Sequence, residues 1–268
     1  MTAPARTAGA RAWALAGTAL IAGGVVAVLA LHVITLEEIN PLRRTLSQYA
    51  LGPWKPMFDA GVLAVAAGSA AVLAGLVRAG LVPLRGAAVA LLAAWSACLV
   101  VVVAFEKIDW SVGPTPTGYL HRYASLLAFF CLPAAALALG RAWRGDGRFG
   151  GLARLTWWLG VASLAWLVPI LLGFALRSLT GIPWWQFVPL GLFERGLALT
   201  EVAALVVMGV WAARAASALT RMDHRVGQAA QGWGRPQRWP FSLRTRARSR
   251  RWASRTRGSR ALALRQRR

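Results

Sequence analysis

Side chains able to do chemistry are scarce in this sequence and fall into three short stretches, around residues 40–59, 109–125 and 191–201. Serine, histidine and aspartate are the residue types of a nucleophilic triad, in which the histidine takes the serine proton and the carboxylate orients the histidine. Ser47, His121 and Asp109 therefore define one hypothesis, a membrane-embedded hydrolase. Their order and spacing are not diagnostic of that chemistry, and a local turn-forming role for Ser47 is the simpler interpretation.

Ligand binding is the function that we favour for the same stretches. His121 and Ser125 are four residues apart, so they share one face of a helix and can address one ligand. Thr117 is suited to capping that helix, and Asp59 can pair with Arg195. We expect a small polar ligand or a lipid headgroup rather than a reaction. The candidate binding residues are Ser47, Tyr49, Asp59, Asp109, Thr117, His121, Arg122, Ser125, Glu194 and Arg195.

Glu201 is a separate candidate, for handling protons or cations. It follows Glu194 by seven residues, so the two carboxyl groups share one helix face. It also falls near the middle of an apolar stretch, where ionisable groups are costly and usually face a bundle interior or a wet cavity. A proton-coupled transporter that uses Glu201 is therefore an alternative to simple ligand binding, and a protonated packing residue is the structural interpretation.

Metal and cofactor chemistry find no support in the sequence. A zinc site needs several converging histidine, cysteine or carboxylate ligands. Of the three histidines, His224 lies in the C-terminal tail, which leaves His32 and His121. Cys98 and Cys131 fall in apolar stretches and form no metal-binding motif. We therefore expect no metal and no cofactor, and enzymatic activity is the weaker expectation.

Six apolar stretches must position these side chains. Hydrophobic residues make up 57% of the chain and charged residues 15%. Each stretch meets or approaches the roughly 20 residues that a helix needs to cross a bilayer. Helices satisfy every backbone polar group internally, as lipid requires. The predicted fold is thus all-α, a polytopic bundle of six transmembrane spans at residues 13–33, 57–77, 87–105, 123–139, 155–176 and 188–213.

The distribution of basic residues predicts the orientation of the bundle. Cytoplasmic loops collect lysine and arginine. With both termini inside, eight basic residues before the tail lie on the inner side and seven on the outer side. Residues 214–268 add 16 arginines and one acid, hence +15 of the net charge of +22. This basic tail favours an N-in, C-in orientation, with the polar stretches on the extracytoplasmic side.

Three regions follow along the chain: a short cytoplasmic N-terminus (1–12), the six-helix domain (13–213) and the tail (214–268). The tail shows no apolar stripe, so we expect it to be disordered. Its arginines are suited to anionic lipids of the inner leaflet. Nucleic-acid binding is the weaker expectation, because no nucleic-acid-binding fold accompanies the charge. The sequence predicts no oligomeric state.

The polar stretches also resemble those of a known family. The run Leu-Ser-Gln-Tyr-Ala-Leu-Gly at 46–52, Asp109 followed by a Pro/Thr/Gly turn and His121, and the Glu194-Arg195 pair are similar to the domain of unknown function 998 family of six-span bacterial integral membrane proteins. The likeness covers about residues 12–215. More loosely, the chain resembles the damage-regulated autophagy modulator type. The resemblance implies a multi-pass protein of the bacterial inner membrane, that is, of the cell membrane. It implies no specific reaction.

Overall fold

The computed structural model describes residues 3–109, 113–181 and 188–233, which are helical apart from short connections. Six helices are each long and apolar enough to cross a membrane, so the predicted all-α, six-span bundle is confirmed. The orientation stays a prediction. The helices are α1 (Ala3–Ile34), α2 (Lys55–Arg78), α3 (Ala87–Ala104), α4 (Pro116–Trp143), α5 (Gly150–Thr180) and α6 (Leu190–Trp233), with a 3-10 helix (Leu46–Leu51) between α1 and α2.

Helices α1 and α2 approach each other closely through facing glycines. A Cβ atom placed on Gly17 would lie 2.6 Å from the carbonyl oxygen of Gly68, closer than atoms can pack. Small residues allow such approach, which is how spans associate where lipid removes the hydrophobic drive between helices. The glycines of this contact are Gly17 and Gly24 on α1 and Gly61, Gly68 and Gly75 on α2.

Helix α6 packs against several of the other helices. Gly196 lies against the indole of Trp166 in α5. Trp211 meets Trp143 of α4 edge to face at 6.2 Å between ring centroids. Gly209 lies against α1. The spans of α2, α4 and α6 are 44–50% buried, against 24–28% for α1, α3 and α5, so the even-numbered helices form more of the interior.

The chain connects the helices alternately at two ends of the bundle. We call one end the polar face: residues 35–54, residues 105–109 and 113–115, and the first turns of α2, α4 and α6. We call the other end the basic end: the first turns of α1 and α5, the connections 79–86 and 144–149, and residues 210–221 of α6. The predicted ligand-binding residues all belong to the polar face or its adjoining helix turns.

Helix α4 begins at Pro116, seven residues before the predicted start of its span at 123. Proline is tolerated in the first turn of a helix, and it keeps the preceding residue extended. Thr115 accordingly has φ −124° and ψ 152°, and its side-chain oxygen accepts a hydrogen bond from the Gly118 amide at 3.1 Å. The cap of α4 is therefore Thr115 rather than Thr117.

Both terminal helices extend further than the sequence suggests. Helix α6 continues through Trp233, so residues 214–233 of the predicted disordered tail are helical. Alanine is the best helix former, and Ala215, Ala216 and Ala218 are buried. Helix α1 begins at Ala3, inside the predicted N-terminal region 1–12.

By its internal contacts the chain divides into two units, Met1–Gln228 and Ala229–Arg268. The first holds α1 to α5 and most of α6. Of the second, residues 229–233 are described and helical. The remainder of the predicted tail, with its predicted lipid contacts, lies outside the described residues.

Candidate functional site

Arg195, in the first turns of α6, joins several elements of the polar face. Its Nε donates to Nε2 of His32 at 2.6 Å, and Nη1 donates to the carbonyl oxygen of Arg44 at 2.7 Å. Nη2 donates to the hydroxyl of Tyr49 at 3.2 Å, and the guanidinium lies 6.0 Å from that ring centroid. Arg195 therefore ties α6 to the end of α1 and to the connection between α1 and α2.

The 3-10 helix is anchored by the aromatic ring of Tyr49. Tyr49 is buried and packs against the His32 imidazole and the Phe58 ring at centroid distances of 5.3 and 6.5 Å. His32 is itself fixed, because its Nδ1 donates to the Val28 carbonyl at 2.7 Å and leaves Nε2 to accept from Arg195. The segment that carries Ser47 is thus held in one orientation.

Lys107 links the connection after α3 to the same 3-10 helix. Its Nζ donates to Oγ1 of Thr45 at 2.6 Å and to Oε1 of Gln48 at 3.0 Å. Burial lowers the pKa of this ammonium group, and the charge of Arg44 lowers it further. Carboxylates of the polar face, on Glu194 and Asp109, act in the opposite direction on that pKa.

Glu194 is a buried carboxyl group at the centre of this network. It is 8% exposed, and its Oε2 accepts a hydrogen bond from the Leu46 amide at 3.2 Å. Lys107 and Arg195 are its cationic neighbours. A buried carboxylate is costly unless cations and hydrogen-bond donors lie near it, so Glu194 favours the close approach of the segments that supply Lys107, Arg195 and the Leu46 amide.

The expected pair between Asp59 and Arg195 does not form. Asp59 Oδ2 instead accepts from Lys55 Nζ at 2.6 Å, one helix turn away on α2. The other carboxylate oxygen, Oδ1, is buried and has no hydrogen-bond partner in the described part of the chain. Lys55 is one helix turn from Asp59, whereas the Arg195 guanidinium donates to His32, the Arg44 carbonyl and Tyr49.

His121 is buried in α4, against the end of α3. Its Nδ1 lies 2.9 Å from the carbonyl oxygens of both Val102 and Phe105. Carbonyl oxygens only accept hydrogen bonds, so Nδ1 carries the hydrogen, and in the neutral ring Nε2 presents a lone pair. Nε2 is buried and finds no partner among the described residues. Ser125 donates to the His121 carbonyl within the helix, so its hydroxyl is used locally.

The three residues of the hydrolase hypothesis are not joined as a triad in the structure. Ser47 Oγ lies 3.3 Å from Oγ1 of Thr45. His121 Nδ1 donates to backbone carbonyls and Nε2 has no partner, so neither ring nitrogen is bonded to Ser47 within the described ranges. Asp109 is exposed. The hydrogen bond from serine to histidine that the mechanism needs is therefore absent from the described residues.

Two further candidate residues, Thr117 and Arg122, are exposed on the outside of α4. Glu201, in contrast, is 1% exposed. Neither of its carboxylate oxygens has a hydrogen-bond partner in the part of the chain that is described. The adjacent Thr200 accepts a hydrogen bond from Ser163 of α5 at 2.9 Å, and Glu201 takes no part in that bond.

Sequence reasoning missed several members of the network, chiefly Lys107, Thr45, Gln48 and the Arg44 carbonyl. One signal pointed to Lys107: only two of the 31 basic residues are lysines, and both lie at this face. The described ranges contain no group of three or more histidine, cysteine or carboxylate side chains able to hold a metal ion.

Comparison with known proteins identifies the family. No curated protein and no solved structure matches the chain, and the looser similarity to the damage-regulated autophagy modulator type gains no support. Residues 20–211 match the model of a family described as "Protein of unknown function (DUF998)". The match spans 192 of the 268 residues and includes the motifs on which the resemblance was based. The chain is thus a multi-pass membrane protein that belongs to the domain of unknown function 998 family.

Proposed function

We propose that the polar face binds a small ligand or lipid headgroup that donates hydrogen bonds. The observation that carries this proposal is the buried Nε2 of His121, an acceptor without a partner among the described residues. Leaving a buried acceptor unsatisfied costs about 1–3 kcal/mol, which a donating ligand recovers. Oδ1 of Asp59 offers a second acceptor of the same kind.

The remaining polar groups of this face narrow the ligand class. Arg195 and Lys107 donate to protein atoms, and the buried side-chain atoms of this face without a partner among the described residues, His121 Nε2 and Asp59 Oδ1, are both acceptors. Cations and anions also balance over the polar face and the adjoining turns of α2, α4 and α6, where six basic residues (Arg43, Arg44, Lys55, Lys107, Arg122 and Arg195) accompany six acidic ones (Glu37, Glu38, Asp59, Glu106, Asp109 and Glu194). A balanced site favours a neutral or zwitterionic ligand over a strongly charged one. Phosphatidylethanolamine, whose ammonium donates, satisfies both conditions.

Two lipids and one conservative variant test the proposal. Phosphatidylethanolamine and phosphatidylcholine are both zwitterionic, but choline has no N–H donor. We expect phosphatidylethanolamine to raise the thermal unfolding midpoint of the purified full chain more than phosphatidylcholine does. His121→Asn should abolish that difference, because the asparagine amide can replace the Nδ1 donor while no atom occupies the position of Nε2.

Ser125→Ala is the matched control, since its hydroxyl bonds only within α4. It should retain the preference for phosphatidylethanolamine. Equal stabilisation by the two lipids in the wild-type chain, or a preference that survives in His121→Asn, would contradict binding through Nε2.

A second candidate function is proton-coupled transport through Glu201. It is favoured by one observation, a carboxyl group deep in α6 with neither oxygen hydrogen-bonded to a described residue. Ionisable groups inside membranes mark substrate or ion pathways, and proton relays are one of these. With the chain reconstituted in liposomes and supplied with a mixture of labelled metabolites, an imposed proton gradient should drive uptake that is lost in Glu201→Gln. Unchanged uptake in that variant would remove the transporter hypothesis.

In this proposal the polar face lies on the extracytoplasmic side of the bacterial inner membrane. Thr117 and Arg144 are exposed at the polar face and at the basic end, respectively, whereas the native cysteines Cys98 and Cys131 are buried. In intact cells, a membrane-impermeant maleimide should therefore label Thr117→Cys and leave Arg144→Cys unlabelled. The reverse pattern would invert the N-in, C-in orientation.

A further inference from the structure

The basic end contains an open cleft that the proposed function does not use. Its volume is about 830 Å³, and it lies between the first turns of α1, the start of α5 and the second half of α6. A single face of α6 borders the cleft, because its lining residues are Val210, Ala213, Arg214, Ser217 and Arg221. Four of the lining residues are arginines: Arg11, Arg148, Arg214 and Arg221.

The charge of this cleft is not balanced by the described residues that line it. None of those residues is acidic, and none of the four guanidinium groups forms an ion pair within the described part of the chain. Asp146, two residues before Arg148, uses its Oδ1 to accept the backbone amides of Arg148 and Phe149. Like charges gathered in this way repel one another, so an anion that enters the cleft is favoured.

The walls of the cleft are apolar and partly open to the membrane. Leu15 and Leu155 are 48% and 47% exposed, and Leu152 and Val210, which also line the cleft, are half-buried. Apolar walls do not contribute to the binding of a small hydrated anion. A phospholipid gains from both parts of the site, because its phosphate meets the arginines while an acyl chain covers the leucines. Basic pockets between membrane helices bind anionic headgroups in this manner.

We propose that this cleft binds one anionic phospholipid, with its phosphate among the four arginines and an acyl chain along Leu15 and Leu155. Arg148 also borders a second cleft of about 440 Å³, whose lining includes Arg78. With the predicted N-in, C-in orientation the cleft opens to the inner leaflet. The site is separate from the polar face and does not depend on the function proposed there.

Charge-removing pairs of variants test the site in the full chain. Phosphatidylglycerol and phosphatidylcholine, titrated against the detergent-solubilised protein, are followed by native mass spectrometry. We expect one phosphatidylglycerol to be retained in preference to phosphatidylcholine. Arg11→Gln with Arg148→Gln should weaken that binding by roughly tenfold or more, since each arginine near an anionic headgroup contributes on the order of 1 kcal/mol.

The matched control is Arg141→Gln with Arg144→Gln. These arginines are exposed at the same end of the bundle but do not line the cleft. The control pair removes the same charge and should leave the affinity within about twofold. Equal weakening by the two pairs would mean that diffuse charge, including that of the tail, attracts the lipid, and the proposal would fail.

A steric variant tests the cleft without changing its charge. Gly151 lines the cleft, and a Cβ atom placed there meets no atom within 4 Å, so Gly151→Leu fills open space without disturbing the helix. It should reduce phosphatidylglycerol binding, whereas His121→Asn should leave it unchanged. Undiminished binding in Gly151→Leu would overturn the proposal, as would full competition by inorganic phosphate, which would indicate a site for a free anion.

Discussion

The two ends of the bundle treat charge in opposite ways. At the polar face, the side chains of Arg195, Lys107 and Glu194 are each hydrogen-bonded to groups from distant parts of the sequence. At the basic end, the arginines of the cleft have no carboxylate partners among the described residues. The first arrangement stabilises the fold and leaves only a few acceptors open. The second is stabilised by an anion from outside the protein.

Burial explains this difference. Charged groups removed from water must be paired, because the cost of isolating them is several kcal/mol each. Glu194 is 8% exposed and is therefore confined to a site with cations and an amide donor. The arginines of the cleft are exposed, so their long side chains remain hydrated or meet headgroups. We therefore expect the charged groups of the polar face to stabilise the fold and those of the basic end to be accessible to a ligand.

The largest expected effect is that of Arg195→Ala. The substitution removes donors to His32, Tyr49 and the Arg44 carbonyl. Hydrogen bonds to charged groups contribute about 1.5–3 kcal/mol each but are not additive, so we expect the free energy of unfolding in micelles to fall by about 3 kcal/mol. Arg122→Ala, at an exposed position of the same face, should change it by less than about 0.5 kcal/mol. Similar values for the two variants would show that the network is not structural.

Much of this fold is predictable from sequence, because six apolar stretches and the requirement of lipid for helices permit few other architectures. The helix ends were less predictable. Thr115 is the cap of α4 because Pro116 follows it, a local rule that a hydropathy pattern does not contain. The extension of α6 past residue 213 follows from buried alanines, which the surrounding arginines obscured.

The candidate site was predictable only in part. Tyr49, Glu194 and Arg195 were singled out by residue type, and the structure brings them into one network. Their partners could not be deduced, since the contacts of Arg195 cross as many as 163 positions of sequence. The basic cleft was missed for the same reason. Its arginines come from α1, from the connection before α5 and from α6, and in an arginine-rich chain composition does not distinguish them from the others.

The pH dependence of stability tests the role of Lys107 at the polar face. Burial lowers its pKa in the folded chain below the ordinary value of 10.5, so between the two values the unfolded chain binds more protons. The contribution of Lys107 to stability therefore rises with pH in that window, with a slope of at most about 1.4 kcal/mol per pH unit. Chemical unfolding of the wild-type chain at successive pH values measures the slope.

Lys107→Met is the variant for comparison, because it keeps the length of the side chain without a titrating group. Its curve should lack the rise below pH 10.5. An identical slope in the variant and the wild-type chain would show that other groups titrate there.

Thr115 and Thr117 separate two interpretations of the start of α4. Thr115→Ala removes the oxygen that accepts the Gly118 amide and should lower the free energy of unfolding by about 1 kcal/mol, the usual contribution of a helix cap. Thr117→Ala should have little effect, because that exposed hydroxyl is hydrogen-bonded to Thr115 Oγ1 at 3.2 Å and not to a backbone amide of the first turn. A larger loss of stability in Thr117→Ala than in Thr115→Ala would show that Thr117 is the cap, as the sequence suggested.

The smallest expected effect concerns the basic end in the absence of lipid. Arg11 lies beside other arginines of the cleft and forms no ion pair with a described residue, so Arg11→Gln relieves repulsion. In neutral-detergent micelles at roughly 0.01 M salt, where the screening length is about 30 Å, unfolding should become more costly by a few tenths of a kcal/mol. At 1 M salt this gain should disappear, because the repulsion is then screened. A loss of about 1 kcal/mol or more at either salt concentration would show that Arg11 is structurally engaged, as Arg195 is, and that the two ends do not differ in kind.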